Sequence, residues 1–372
     1  MSQATLWGGD AAFSRKRHNG PSVPHLASTP MDRIPRRLWT FGILAALLAA
    51  GTAVAETGAA PHSVGAPPAS RSVLAQFEHD VLSITALRGE PDRLAGAAVL
   101  ARAVSDLPPV LTYKAFLARA QSLPDAGAAV QWVALGNCGN VGPEPEDCIN
   151  TAALRKLQRL APDNAAVWLL AFDRARQRGD GAAARIALAR AAKGTEFSTY
   201  YGILLRSVLQ TARALPMPPA LAQELGGSPG NAYAATYLLA AGNVMYLPTP
   251  ALAPVFDECK DPGQDATLRQ QCTQVAHLMA WGDTIIARAA GLALQERLAT
   301  HQAARQGYAA ARRALAWQTH QFAVQVLRSR HDPALAAKLV QLVLEGGTEN
   351  SIQIALLRET GVPTTPPPNW KG

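Results

Sequence analysis

From Arg71 onward, apolar residues recur at intervals of three, four and seven, the spacing of one face of an α-helix. Leu74, Phe77, Val81 and Ile84 form the first such line. Pro91 opens a second stretch with Leu94, Ala98 and Ala101 inward, and Pro108-Pro109 a third with Tyr113, Phe116, Leu117 and Ala120. After a boundary at Ser122–Asp125, Ala128 to Leu135 reads as another short helix. The pattern resumes at Leu204, Leu205, Val208 and Leu209, then from Ala232 to Ala241. Leu268, Cys272, Val275 and Met279 share a face, as do Ile285, Ala289 and Leu292. Leu315, Phe322 and Val326 mark a long helix ending near Arg330, Leu335, Leu339 and Leu342 its successor, and Ile352 to Leu357 the last. The two-residue alternation of a strand occurs nowhere, and the abundant alanine favours helices and their close packing. The pattern predicts an all-α protein.

Leu160 to Lys193 shows the local logic best. Pro162 ends one helix, and Asp163 or Asn164 can cap the next by accepting a backbone N–H. Trp168, Ala171, Phe172 and Ala175 then fall on one stripe. Gly179 stands where a helix end calls for a left-handed residue, and Asp180 can cap the following helix, whose buried line is Ala184, Leu188 and Ala191. Arg185, Arg190 and Lys193 face outward. This order of tryptophan, turn glycine, Ala-Leu-Ala series and preceding proline resembles a tetratricopeptide repeat. Glu196 stands where the family closes its unit with proline. The resemblance implies antiparallel helical hairpins stacked as a short irregular solenoid.

Seven stretches divide the chain. Residues 1–30 are mixed polar and small, and read as a start-site extension ahead of Met31. Residues 31–55 carry a basic start, an apolar core and an Ala-x-Ala end, the marks of a secretory signal peptide cleaved after Ala55. An uncleaved anchor is the rival reading. Residues 56–70 form a Pro/Ala/Gly linker. A helical repeat region over 71–246 and a second helical region over 255–360 flank a proline-rich break, and 361–372 is read as a frayed tail.

Charge changes little. The chain carries 35 Lys/Arg and 27 Asp/Glu, but residues 1–55 hold six of the former and two of the latter. The remaining excess is mild and scattered over helix faces, so nucleic acid is not an expected partner. The cysteines change more. Cys138 with Cys148, and Cys259 with Cys272, are two close pairs in a chain that reads as exported, and predict two disulfides.

Residues that would carry chemistry are scarce. There is no H-E-x-x-H spacing, nucleophile elbow, phosphate loop or dinucleotide fingerprint. Gly226–Gly230 reads as a loop, because Pro229 follows Ser228 where an oxyanion-hole N–H would be needed. His277 reads as a core or groove histidine, and Trp132, Trp168, Trp281 and Trp317 as core. No catalytic, cofactor-binding or metal-ligating residue is assigned. The expectation is a periplasmic or secreted cell-envelope protein that binds or scaffolds a protein partner. The alternative is an envelope enzyme such as a cell-wall hydrolase with its site in an inter-helical groove. A membrane role would follow only from an uncleaved signal segment.

Overall fold

The computed structural model describes residues 68–137 and 149–370, which form sixteen α-helices and one 3-10 turn, with no strand among them. The first are α1 (Pro68–Thr85), α2 (Pro91–Ala101), the 3-10 turn (Pro109–Leu111), α3 (Tyr113–Ser122) and α4 (Ala128–Ala134). Then come α5 (Thr151–Leu160), α6 (Ala165–Gln177), α7 (Gly181–Ala191), α8 (Tyr201–Ala212), α9 (Pro219–Gly226) and α10 (Ala232–Val244). The remainder are α11 (Leu252–Cys259), α12 (Ala266–Ala280), α13 (Ile285–Leu298), α14 (Gln302–Ser329), α15 (Pro333–Glu345) and α16 (Glu349–Glu359). The expected export signal, most of the linker and the Cys138/Cys148 pair lie outside the described residues.

Local chemistry sets the helix starts. Asn150, Asn164, Asp180, Asn231, Asp265 and Asp332 each accept a first-turn amide through the side chain, as do Thr112, Thr284 and Thr348. Each satisfies a backbone donor that has no partner within its helix. Pro91, Pro219 and Pro333 occupy first-turn positions, where a missing N–H costs nothing. In the α6–α7 hairpin, Gly179 is left-handed at φ 72°, and the N–H of Asp180 closes onto the carbonyl of Ala175. Trp168 lies at the margin of the core, its indole N–H on the carbonyl of Pro162.

Some helices pair with their chain neighbours: α6 with α7, α9 with α10, α12 with α13. Others meet from far along the chain. In α2, every residue from Leu94 to Ala101 is buried, wider than a single stripe, because α8, α3 and α4 all pack against it. Gly96 permits the closest approach: a Cβ there would stand 2.6 Å from the carbonyl oxygen of Ser207 in α8. Helix α10 packs against α8 and α15, and α1 against α9. A linear stack confines contacts to adjacent units; here hairpin order is local, while α2, α8, α10 and α15 share one interior. A single buried cluster extends from Phe77 to Leu356, on both sides of the proline-rich 247–254 segment. The indole N–H of Trp132, wholly buried, donates to the carbonyl of Pro248.

Three expectations are corrected. Trp281, read as core, is 71% exposed at the end of α12 and lies under the guanidinium of Arg288, and His277 is exposed. Residues 361–370 do not fray but lie against α14. No described helix is long and apolar enough to cross a membrane.

Candidate functional site

A buried network beneath residues 194–201 and an open groove between α7 and α12 combine polar side chains with defined geometry.

The network starts at Asn164. Its side-chain oxygen accepts the N–H of Ala166 and of Ser198, and its amide donates to the carbonyl of Ser198 and the hydroxyl of Tyr200. The cap of α6 therefore also pins the loop entering α8. Tyr200 stands there in the left-handed region at φ 60°, a conformation costing roughly 1–2 kcal/mol for a non-glycine residue. Its ring meets Trp132 edge-on at 5.6 Å, which helps hold it.

Asp283, 7% exposed, completes the loop. Its carboxylate accepts the N–H of Thr199 at 2.9 Å and of Tyr201 at 3.2 Å, and the hydroxyls of Ser198 and Thr199. It is the cap of α8, supplied from elsewhere in the chain. Glu349 repeats the arrangement: its carboxylate accepts the N–H of Ile285, at the start of α13, at 2.7 Å, and its own N–H donates to the carbonyl of Asp283. Burial raises the Asp283 pKa above its ordinary value, although the Thr199 and Tyr201 amides and the Ser198 and Thr199 hydroxyls oppose it. Burial pushes Glu349 up to about 7, with the Ile285 amide opposing and Asp283 adding to the rise. Tyr201 is raised well above its usual range, by burial first and by Glu349 second. Both carboxylates hold helix ends, Asp283 that of α8 through both oxygens and Glu349 that of α13 through Oε2.

The groove has a volume of about 910 Å³. One wall is the end of α7 with Lys193; the other is α12 with Arg269, Gln270, Gln271 and Gln274, joined by Gln264 from the preceding loop. Among the described residues, no carboxylate lines it. The disulfide between Cys259 and Cys272 binds α12 to the end of α11 with a Cα separation of 5.5 Å. Helix α11 is in turn tied to α6 by Glu258 and Arg176, 3.0 Å apart. The predicted Cys259–Cys272 pairing is therefore present, and it fixes α12 relative to the α6–α7 hairpin. The exposed glutamine amides are hydrogen-bond donors and acceptors, and Lys193 and Arg269 add two positive charges to the lining. Arg269 also donates to the carbonyl of Gly263.

Sequence reading did not single out either place. At Asp283 a weak signal existed, two successive capping residues (Asp283-Thr284) where α13 uses only Thr284. The glutamines of α12 look like any solvated helix face. Among the described residues, no cluster of three metal-ligating side chains forms. No family model, no curated protein and no solved structure matches this chain.

Proposed function

We propose that this is an exported scaffold of the bacterial cell envelope that seats a segment of a partner polypeptide in the α7/α12 groove. The observation carrying the reading is the groove itself, lined by glutamines and two cations with no carboxylate. One wall is the end of α7, the second helix of the hairpin that carries the tetratricopeptide-like order of Trp168, Gly179 and Ala184–Leu188–Ala191. Export is supported by the basic, apolar and Ala-x-Ala signal over 31–55 and by a disulfide that suits an oxidising compartment. A cell-wall hydrolase would need carboxylates free to meet a sugar. The engagement of Asp283 by residues 198–201 weighs against that alternative.

A photo-activated cross-linker at Gln270 tests the proposal, with one at exposed Gln306 as control. The expected result is a discrete adduct from Gln270 only, lost when Lys193→Glu and Arg269→Glu are introduced together. Equal adducts from both positions, or an adduct indifferent to the charge reversal, would overturn it.

A further inference from the structure

The segment leaving α16 crosses α14. Gly361, at φ 68° with open space around it, turns the chain, and the N–H of Val362 closes onto the carbonyl of Leu357. Residues 363–370 (Pro-Thr-Thr-Pro-Pro-Pro-Asn-Trp) then run along a face of α14 that presents Arg313, Trp317 and Gln318, spaced i, i+4 and i+5.

The contacts share one logic. The Trp317 indole N–H donates to the carbonyl of Pro363 at 2.8 Å, and the Gln318 amide to that of Thr364 at 2.9 Å. Arg313 donates to the carbonyls of Pro367 and Pro368, each at 3.1 Å, and to that of Trp370. The Trp317 and Trp370 rings meet edge to face at 5.5 Å, and the Arg313 guanidinium lies 5.9 Å from the centre of the Trp370 ring. In each of these bonds the helix side chain donates and the strap's main chain accepts. Proline has no N–H and a fixed φ, so a proline-rich segment offers its carbonyls at little entropic cost. An aromatic-bearing surface that donates to those carbonyls is a recurring mode of peptide recognition. The face reads proline-rich backbone with one aromatic anchor.

We propose that this face of α14 is a recognition site for proline-rich segments. Residues 363–370 close it in cis, and a proline-rich segment of a partner protein occupies it when the strap swings away about Gly361. The site is separate from the α7/α12 groove, and neither proposal depends on the other.

The test is a titration of the synthetic peptide GVPTTPPPNWKG against the full-length protein. The comparison is a full-length variant whose strap is loosened by Pro366→Gly, Pro367→Gly, Pro368→Gly and Trp370→Ala. A tethered competitor acts at an effective concentration on the order of millimolar, so the loosened variant is expected to bind at least about tenfold more tightly. Adding Arg313→Ala and Trp317→Ala to it is expected to abolish binding. Far-UV circular dichroism establishes that each variant folds, and Trp370→Ala alone supplies a milder variant. Absence of saturable binding to either folded, loosened variant would overturn the proposal, as would binding unaffected by the Arg313 and Trp317 substitutions. A concentration-dependent dimer of the unmodified protein, abolished by those substitutions, would assign the face to a second copy's strap and overturn the partner reading.

Discussion

Asp283 caps a helix to which it does not belong: its carboxylate accepts the N–H of Thr199, 84 residues earlier, at 2.9 Å. The α8 amino terminus has no capping side chain of its own, since Tyr200 supplies none. A carboxylate at that end meets both the unpaired amides and the positive end of the helix dipole. Replacing Asp283 with alanine leaves the Thr199 and Tyr201 amides buried without their acceptor. The expected loss is about 3 kcal/mol, read as a lower urea midpoint with an unchanged slope.

Glu349 predicts a pH dependence. Its folded pKa is raised from the ordinary 4.5 to about 7, so the folded state holds a proton that the unfolded state releases. That contribution is complete below about 4.5 and is lost as pH rises through about 7. Glu78, also pushed up to about 7 by burial, acts in the same window. Stability measured by denaturant titration should therefore fall between these pH values. Glu349→Gln, which keeps an acceptor for the Ile285 amide, should make the fall shallower without removing it. An unchanged slope of stability against pH would contradict this.

The Cys259–Cys272 disulfide closes a short loop, with a sequence separation of 13. In the chain-entropy model such a cross-link stabilises by about 3 kcal/mol. The double variant Cys259→Ser, Cys272→Ser should retain its helical circular dichroism spectrum but unfold at lower denaturant. The groove should also bind its partner less well, because α12 is no longer stapled to α11.

Gly96 inverts a common rule. Glycine to alanine inside a helix normally stabilises by restricting the unfolded chain, by about 0.4–1 kcal/mol. Here the added methyl would stand 2.6 Å from backbone atoms of Ser207, and only separation of α2 from α8 relieves the clash. Gly96→Ala is expected to destabilise by about 1–3 kcal/mol. Gly242→Ala, with open space at its Cβ, should be neutral or stabilising, and thermal unfolding of the two side by side tests the contrast.

Export predicts an intact mass. Protein recovered from the periplasm should begin at Glu56, and under denaturing conditions without reductant it should take up no alkylating reagent. A mass retaining the apolar run over 38–54 would replace cleavage with anchoring, and free thiols at Cys138 and Cys148 would remove the second predicted disulfide.

The features legible in the sequence are local. The helical period, the caps at Asn164 and Asp180, the left-handed Gly179 and the Cys259–Cys272 pairing were all legible, because each depends on residues within a few turns of one another. Tertiary structure alone decided that α2 lies against α8, that Asp283 and Glu349 cap helices distant in the chain, and that residues 363–370 lie on Arg313 and Trp317. It likewise placed Trp281 in solvent and made a groove of the α12 glutamines. An apolar stripe states that a face is buried but not against what. A lone carboxylate or a proline-rich run reads the same whether solvated or engaged. Only the closure of long loops brings its partners within hydrogen-bond distance, and no local spacing encodes that.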